Sequence, residues 1–167
     1  FVKLLSGAQP GRLVLVTAND VNTLTVDNTD HSSQTTALNA ANFSVVVGDT
    51  FEVFAGDTLA SIFGGTAQTL VLHGGTSILQ ADTLSIYSAS LVRFQAYYFD
   101  TNAGFWKLSG SSANANNTIL YPYSGFAITR RASEAATSFA VMGSVAEVSR
   151  LVKTTGGSNI IYDSTGY

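Results

Sequence analysis

The fold is decided by one stretch, Phe94-Gln95-Ala96-Tyr97-Tyr98-Phe99-Asp100-Thr101-Asn102-Ala103-Gly104-Phe105-Trp106-Lys107-Leu108. Two runs rich in aromatic residues flank a five-residue turn of Asp, Thr, Asn, Ala and Gly, and this arrangement predicts a β-hairpin. Side chains of a strand alternate between two faces. One face of the first strand carries Phe94, Ala96 and Tyr98, and the other carries Gln95, Tyr97 and Phe99. We therefore expect both faces of the hairpin to be partly covered.

Turn residues recur about every ten positions outward from this hairpin, with short β-branched and aromatic runs between them. The runs lie at 13–17, 23–26, 43–47, 50–54, 69–73, 84–87, 91–99, 105–108, 119–120, 125–129, 139–148 and 160–162. This spacing is typical of an all-β protein. We predict an antiparallel sandwich or barrel of about ten to twelve short strands, with at most one or two short helical turns.

One segment favours a helical turn, because Asp57 stands at an N-cap-like position and Leu59, Ile62 and Phe63 precede a Gly-Gly stop. Residues 132–136 are a second candidate, and 142–153 fit either a strand or a helix. The length of 167 residues suits one compact β-rich structural module over 1–167, with a sub-division near 64–80 as the alternative.

The composition combines 46% hydrophobic residues with only 11% charged residues, against roughly a quarter charged in an average soluble domain. Ser, Thr, Asn and Gly replace the missing charge, and such a surface suits packing against further copies or the cell exterior. The net charge is −3, and Arg130-Arg131 is the only basic doublet, so we expect no nucleic-acid partner. No apolar run approaches the roughly 18 to 20 residues of a membrane helix, so we expect no membrane insertion.

Catalytic constellations are missing from the sequence. A serine hydrolase is not indicated, because the chain has only two histidines, His31 and His73, and no G-x-S-x-G elbow. A glycosidase is not indicated either, because the chain has only three Glu residues and most of its Asp residues occupy turns. The chain has no cysteine, which excludes thiolate zinc sites. A calcium site at Asp49 and Asp57 is the weaker alternative to ordinary turn chemistry. We predict no enzyme activity, no cofactor and no metal.

Two sets of residues are candidates for binding. Tyr97, Tyr98 and Trp106 are candidate ligand or interface aromatics, because exposed rings stack on sugars, whereas covered rings are ordinary sheet pairs or interface anchors. Both ends of the chain are apolar, and apolar end strands can add to a sheet of another copy. The candidate inter-subunit strand residues are Phe1, Val2, Leu4, Leu5, Ile160, Ile161 and Tyr162.

Several stretches occur in an order that resembles an uncharacterised family of secreted, β-rich bacterial surface proteins. They are residues 6–12, 17–27, 48–53, 58–63 and 81–87, the hairpin at 97–106, and Leu120-Tyr121-Pro122-Tyr123-Ser124-Gly125-Phe126 with the residues up to Arg131. The resemblance implies a β fold and an exported location, and it implies no activity. The family has a Gly-rich turn where this chain has Tyr121-Pro122-Tyr123-Ser124.

These observations predict an extracellular or cell-surface structural protein. We expect a self-assembling filament, tube or surface-layer subunit, a homo-oligomer or polymer whose copies meet through edge or terminal strands. One alternative is a carbohydrate-binding or adhesion module that uses the aromatic hairpin and has glycans as partners. A further alternative is a viral tail or decoration domain, which has a similar composition.

Overall fold

A computed structural model describes residues 1–27, 44–88, 91–122 and 125–131. In these ranges the chain forms nine strands and one short helix, which confirms the all-β class. The strands are β1 (Val2–Leu4), β2 (Leu13–Val14), β3 (Val16–Asn19), β4 (Leu24–Val26), β5 (Phe51–Val53), β6 (Thr83–Ser88), β7 (Arg93–Asp100), β8 (Phe105–Leu108) and β9 (Phe126–Thr129), and the helix is α1 (Leu59–Phe63).

The chain divides into two compact units, with the boundary between Ala55 and Gly56. The stretch 64–80, where the sequence suggested a sub-division, lies inside the second unit. In the first unit β1 is the middle strand of an antiparallel sheet with the order β2-β1-β5, and β3 pairs with β4 in a separate hairpin. This order makes β2 and β5 the outer strands of the first sheet.

The second unit contains an antiparallel sheet with the order β8-β7-β6-β9. The predicted aromatic hairpin forms its β7–β8 half, with Phe99 opposite Trp106. β6 pairs with β7 on one side, with Leu84 opposite Tyr97, and with β9 on the other, with Leu84 opposite Ile128. Opposite residues of an antiparallel pair point to the same face, so one face of this sheet is continuously apolar.

That apolar face carries the core of the second unit. Its buried members are Leu59, Phe63, Leu72, Leu84, Tyr97, Phe99 and Trp106. α1 contributes Leu59 and Phe63, and the Trp106 ring meets both Phe63 and Phe99 edge to face, at centroid distances of 6.1 and 6.0 Å. The helix and the hairpin therefore share one core.

The N-cap of α1 lies one residue later than the predicted N-cap at Asp57. Thr58 is the N-cap: its hydroxyl accepts from the Ser61 N–H, and the Ser61 hydroxyl accepts from the Thr58 N–H, which completes a capping box. The helix ends at Phe63, and its C-cap is Gly64, whose φ of 90° favours glycine.

Three predicted strands are irregular within the described residues. Residues 69–73 form turns and loop. The Thr69 N–H donates to the Thr66 carbonyl oxygen and the Val71 N–H donates to the Phe63 carbonyl oxygen, so neither N–H takes part in a β-ladder. Residues 44–47 lie outside any strand, and at 119–120 only a single bridge joins Ile119 to Thr58. The predicted elements at 132–136, 139–148, 142–153 and 160–162 lie outside the described residues.

Candidate functional site

The candidate site is the outer edge of β5, formed by Phe51, Glu52 and Val53. The β1–β5 ladder bonds Phe54 to Phe1 and Leu5 to Thr50, and antiparallel ladders bond at every second pair. Glu52 therefore directs its N–H and C=O towards β1, whereas Phe51 and Val53 direct theirs away from it. Among the described residues nothing pairs with that outer side. The β5 edge is thus an open edge with the ladder groups of two residues.

The side chains of the β5 edge are also exposed. Phe51 is 52% exposed and Val53 55% exposed, although they stand opposite the buried Leu4 and Val2 of β1 on the same sheet face. The three preceding valines, at positions 45 to 47, are exposed as well. Exposed apolar side chains beside unpaired ladder groups are the features of a strand-addition surface.

A short loop sets the position of β5. The Asp49 carboxylate accepts from the Val46 N–H at 2.9 Å, and the Asp49 N–H donates back to the Val46 carbonyl oxygen at 3.1 Å. Gly7 lets this carboxylate approach, because a Cβ on Gly7 would lie only 2.5 Å from its Oδ2. The Thr50 N–H donates to the Ser6 hydroxyl at 2.8 Å. These bonds fix the start of the strand without occupying its outer side.

The charge on this edge is a single carboxylate. Glu52 lies opposite Lys3 of β1, on the sheet face away from Phe51 and Val53. Opposite charges in such a cross-strand pair stabilise a sheet. Natural edge strands often carry several charges or a proline that block strand addition, and the β5 edge has only Glu52 in that role.

The β8 edge of the second unit, in contrast, is closed by the loop that follows it. The Trp106 N–H donates to Oδ1 of Asn116 at 2.9 Å, and the Ala115 N–H donates to the Trp106 carbonyl oxygen at 2.8 Å. Asn116 also donates to the Gly65 carbonyl oxygen at 3.3 Å. Strand addition at Trp106 would break these bonds, so β8 is protected as edge strands commonly are.

Two of the three predicted binding aromatics are core residues. Trp106 has no exposed surface, and its indole N–H donates to the Gly64 carbonyl oxygen at 2.7 Å. Tyr97 is also buried, and burial raises the pKa of its phenol, a shift that a hydrogen bond with Thr118 partly offsets. Neither ring offers a face to a sugar or to another copy. Tyr98 is half-buried on the opposite face of the sheet.

The amino-terminal candidates occupy a central strand. Phe1, Val2 and Leu4 are buried, and Leu5 is about half exposed. β1 is paired on both sides, with β2 and with β5, so Val2 and Leu4 are not free to donate an edge to another copy. The strand next to the amino-terminal strand, β5, is an outer strand of this sheet and carries the open edge. Ile160, Ile161 and Tyr162 lie outside the described residues.

Other polar candidates have structural partners. Asp82 is fully buried: its Oδ1 accepts from the Arg131 N–H at 2.8 Å, its Oδ2 accepts from the His73 N–H at 2.9 Å, and it forms an ion pair with Arg130. At the end of the β7–β8 hairpin, Lys107 of β8 donates to Asp100 of β7 at 2.7 Å. Together with the N–H groups of the turn, this bond holds the pKa of the Asp100 carboxyl below its usual value. His31 lies outside the described residues.

Several exposed apolar residues were missed by the sequence reasoning. Tyr87 and Phe94 stand opposite each other at the end of the β6–β7 hairpin, with ring centroids 5.3 Å apart, and both are exposed. Leu91 and Val92 at the hairpin tip are exposed too, and Val92 has a φ of 51°. The alternation of side chains along the strand placed Phe94 on the same face as Ala96 and Tyr98. Nothing in the sequence identified that face as the outer one.

The described residues contain no group of three metal-ligating side chains, and no helix among them is long and apolar enough to cross a membrane. Comparison with protein-family models, curated proteins and solved structures gives no match to this chain. The resemblance to secreted bacterial surface proteins therefore stays a prediction.

Proposed function

We propose that this chain is a structural β module that associates with further copies of itself by strand addition at the β5 edge. The observation that carries the proposal is that Phe51 and Val53 present exposed apolar side chains together with ladder groups that pair with none of the described residues, all on one three-residue strand. Addition of a strand there would satisfy the ladder groups and remove apolar surface from water in one step.

The composition supports a place outside the cell or at its surface for this module. With only 11% charged residues, the chain has a surface that is covered at a low desolvation cost by another copy. A filament, a tube and a surface layer would all use such a contact. The proposal therefore specifies the contact at the β5 edge and not the form of the assembly.

A matched pair of valine substitutions tests the proposal. Val53→Lys puts a charge on the β5 edge, and Val21→Lys makes the same change at a valine that is 96% exposed in the β3–β4 turn of the same unit. We expect sedimentation velocity to show an average mass that rises with concentration for the parent protein and for Val21→Lys, and a monomer for Val53→Lys. Electron microscopy would show the form of the assemblies.

Two results would contradict this function. One is a parent protein that stays monomeric up to its solubility limit. The other is equal weakening by both substitutions, which would mean that any added charge weakens association and that the β5 edge has no special role.

A second candidate function, glycan binding, is favoured by the pair of exposed rings at Tyr87 and Phe94. Phe94 is 56% exposed, and neighbouring aromatic rings on a sheet surface can stack on sugars. If this function is right, replacing both residues by alanine abolishes retention on a polysaccharide that the parent protein binds, whereas Tyr98→Phe keeps it. Retention that survives the double substitution would exclude these rings as the site.

A further inference from the structure

The second unit has an open edge of its own on β9, formed by Phe126, Ala127 and Ile128. The Arg131 N–H bonds to Asp82, on the β6 side of the strand. Alternation of the ladder then directs the N–H and C=O of Ala127 and Thr129 towards β6, and those of Phe126 and Ile128 away from it. Among the described residues nothing pairs with this outer side. The β9 edge thus presents the ladder groups of two residues, as the β5 edge does.

Pairing of the β5 edge with the β5 edge of a second copy is disfavoured by charge. In the antiparallel register that joins the outward groups of Phe51 and Val53 on both copies, Glu52 lies directly opposite Glu52 of the second copy. Like charges directly opposite each other destabilise a sheet. The β5 edge is therefore poorly suited to a two-fold contact with itself.

Pairing of the β5 edge with the β9 edge has no such conflict. The antiparallel register that joins all four outward-facing residues sets Phe51 opposite Ile128 and Val53 opposite Phe126. Each of these pairs combines an aromatic ring with a β-branched side chain, a favourable cross-strand combination. In the same register Glu52 lies opposite the small, exposed Ala127, where its charge meets no carboxylate.

The side-chain faces of the two strands also match in this register. Phe51 and Val53 share a face with the buried Leu4 and Val2 of the first unit. Phe126 and Ile128 share the face of the second sheet that carries the core, where Phe126 packs edge to face on Phe63 at 5.3 Å. The paired strands would thus join two apolar faces into one.

We infer that the partner of the β5 edge is the β9 edge of a neighbouring copy, a contact that rests on the proposed self-association. The two surfaces differ, so the contact is heterologous, and each copy carries one of each. A heterologous contact that does not close into a ring adds copies head to tail without limit. The structure thus assigns the two edges to the two ends of a growing chain of copies.

Two proline variants separate the edges. Val53→Pro and Ile128→Pro each remove an outward N–H that no ladder bond between described residues uses. An edge strand tolerates proline at such a position. We expect each variant alone to be monomeric, because each lacks one of the two edges. Mixed in equal amounts, they are expected to form a 1:1 dimer that grows no further, since the intact β5 edge of one binds the intact β9 edge of the other.

The possible outcomes distinguish this inference from the proposed function. If the parent protein associates and Val53→Pro does not, but Ile128→Pro still dimerises by itself, the contact is between β5 edges; the inference is then overturned and the function stands. If the parent protein itself never associates, both are overturned. A mixture that stays monomeric while the parent protein associates also overturns the inference.

The near-ultraviolet circular dichroism of Trp106 shows whether each variant is folded. Charge variants at Ala127 test the same contact if a proline variant does not fold. Ala127→Glu would place a carboxylate opposite Glu52 and weaken association about two- to fivefold. Ala127→Lys would strengthen it by a similar factor. Association that is indifferent to the charge at position 127 would overturn the β5–β9 contact.

Discussion

The indole N–H of Trp106 donates to the carbonyl oxygen of Gly64 at 2.7 Å, a buried bond between residues 42 positions apart. It joins the end of α1 to the middle of the β7–β8 hairpin. Trp106→Phe keeps most of the apolar volume but leaves that carbonyl without its donor, and a buried polar group without a partner costs about 1–3 kcal/mol. We expect urea denaturation to show a loss in this range, whereas Val21→Ala, at a side chain that is 96% exposed, should change stability by less than about 0.5 kcal/mol.

Gly64 also limits what can stand at the end of the helix. A Cβ at this position would overlap the backbone carbonyl group of Thr69. Gly110 has a similar φ, 83° against 90°, but open space around it. Gly110→Ala should therefore cost only the backbone strain of about 1–2 kcal/mol, and Gly64→Ala should cost more in the same thermal or urea measurement. Equal losses would show that the overlap is relieved at no cost.

The buried carboxylate of Asp82 should be more important for stability than the exposed carboxylate of Asp57. Asp82→Ala would leave the N–H groups of His73 and Arg131 without acceptors, at an expected cost of about 2 kcal/mol or more. Asp82→Asn retains one acceptor oxygen and should lose less. Asp57→Asn serves as the control, since Asp57 is exposed. A result in which Asp82→Ala and Asp57→Asn unfold alike would contradict the role given to the buried carboxylate.

The Asp100–Lys107 pair predicts a loss of stability in acid. The bond from Lys107 lowers the pKa of Asp100 in the folded protein from its ordinary value of 3.8. A carboxyl with a lowered folded pKa contributes stability above its unfolded pKa and loses it as the pH falls below 3.8 and through the folded value. Urea titrations at a series of pH values should show this contribution for the parent protein. It should be absent in Asp100→Asn and reduced in Lys107→Gln.

Tyr97 predicts the opposite behaviour in alkali. Burial raises the folded pKa of its phenol above the ordinary value of 10.0. The stability due to the neutral phenol is complete below pH 10.0 and is lost as the pH rises towards the folded pKa. Ultraviolet titration should find a tyrosine signal that ionises above pH 10.0 and disappears in Tyr97→Phe. A titration curve whose alkaline end is unchanged by Tyr97→Phe would contradict the burial of Tyr97.

The strands of the second unit follow from local sequence, because alternation and turn residues are local properties. The β7–β8 hairpin and the separation of Phe94 and Tyr98 from Tyr97 and Phe99 were predicted in this way. Which of the two faces becomes the core was not predictable, since Leu59 and Phe63 of α1, some 40 residues away, determine it. Residues 69–73 have strand-like composition, but their N–H groups bond to carbonyl oxygens in turns and to the Asp82 carboxylate.

The candidate site was only partly predictable for a similar reason. The idea that apolar strand edges join copies came from the sequence, which assigned it to both ends of the chain: Phe1, Val2, Leu4 and Leu5, and Ile160, Ile161 and Tyr162. The structure places Val2 and Leu4 in a central strand, and the last three residues lie outside the described ranges. Whether a strand is central or outer depends on the order of strands in the sheet. That order put β5 outside the amino-terminal strand. Open edges are a property of topology, which composition does not reveal.

The carboxylate of Asp82 has a consequence for the strand that precedes Arg131. By holding the backbone N–H of Arg131 and the side chain of Arg130, it ties down the far end of β9, which a ladder on one side alone would leave to fray. Ordering a loose segment on binding costs conformational entropy. Because these contacts hold the end of β9 within the single copy, they reduce the conformational entropy that β9 would lose when another strand pairs with it.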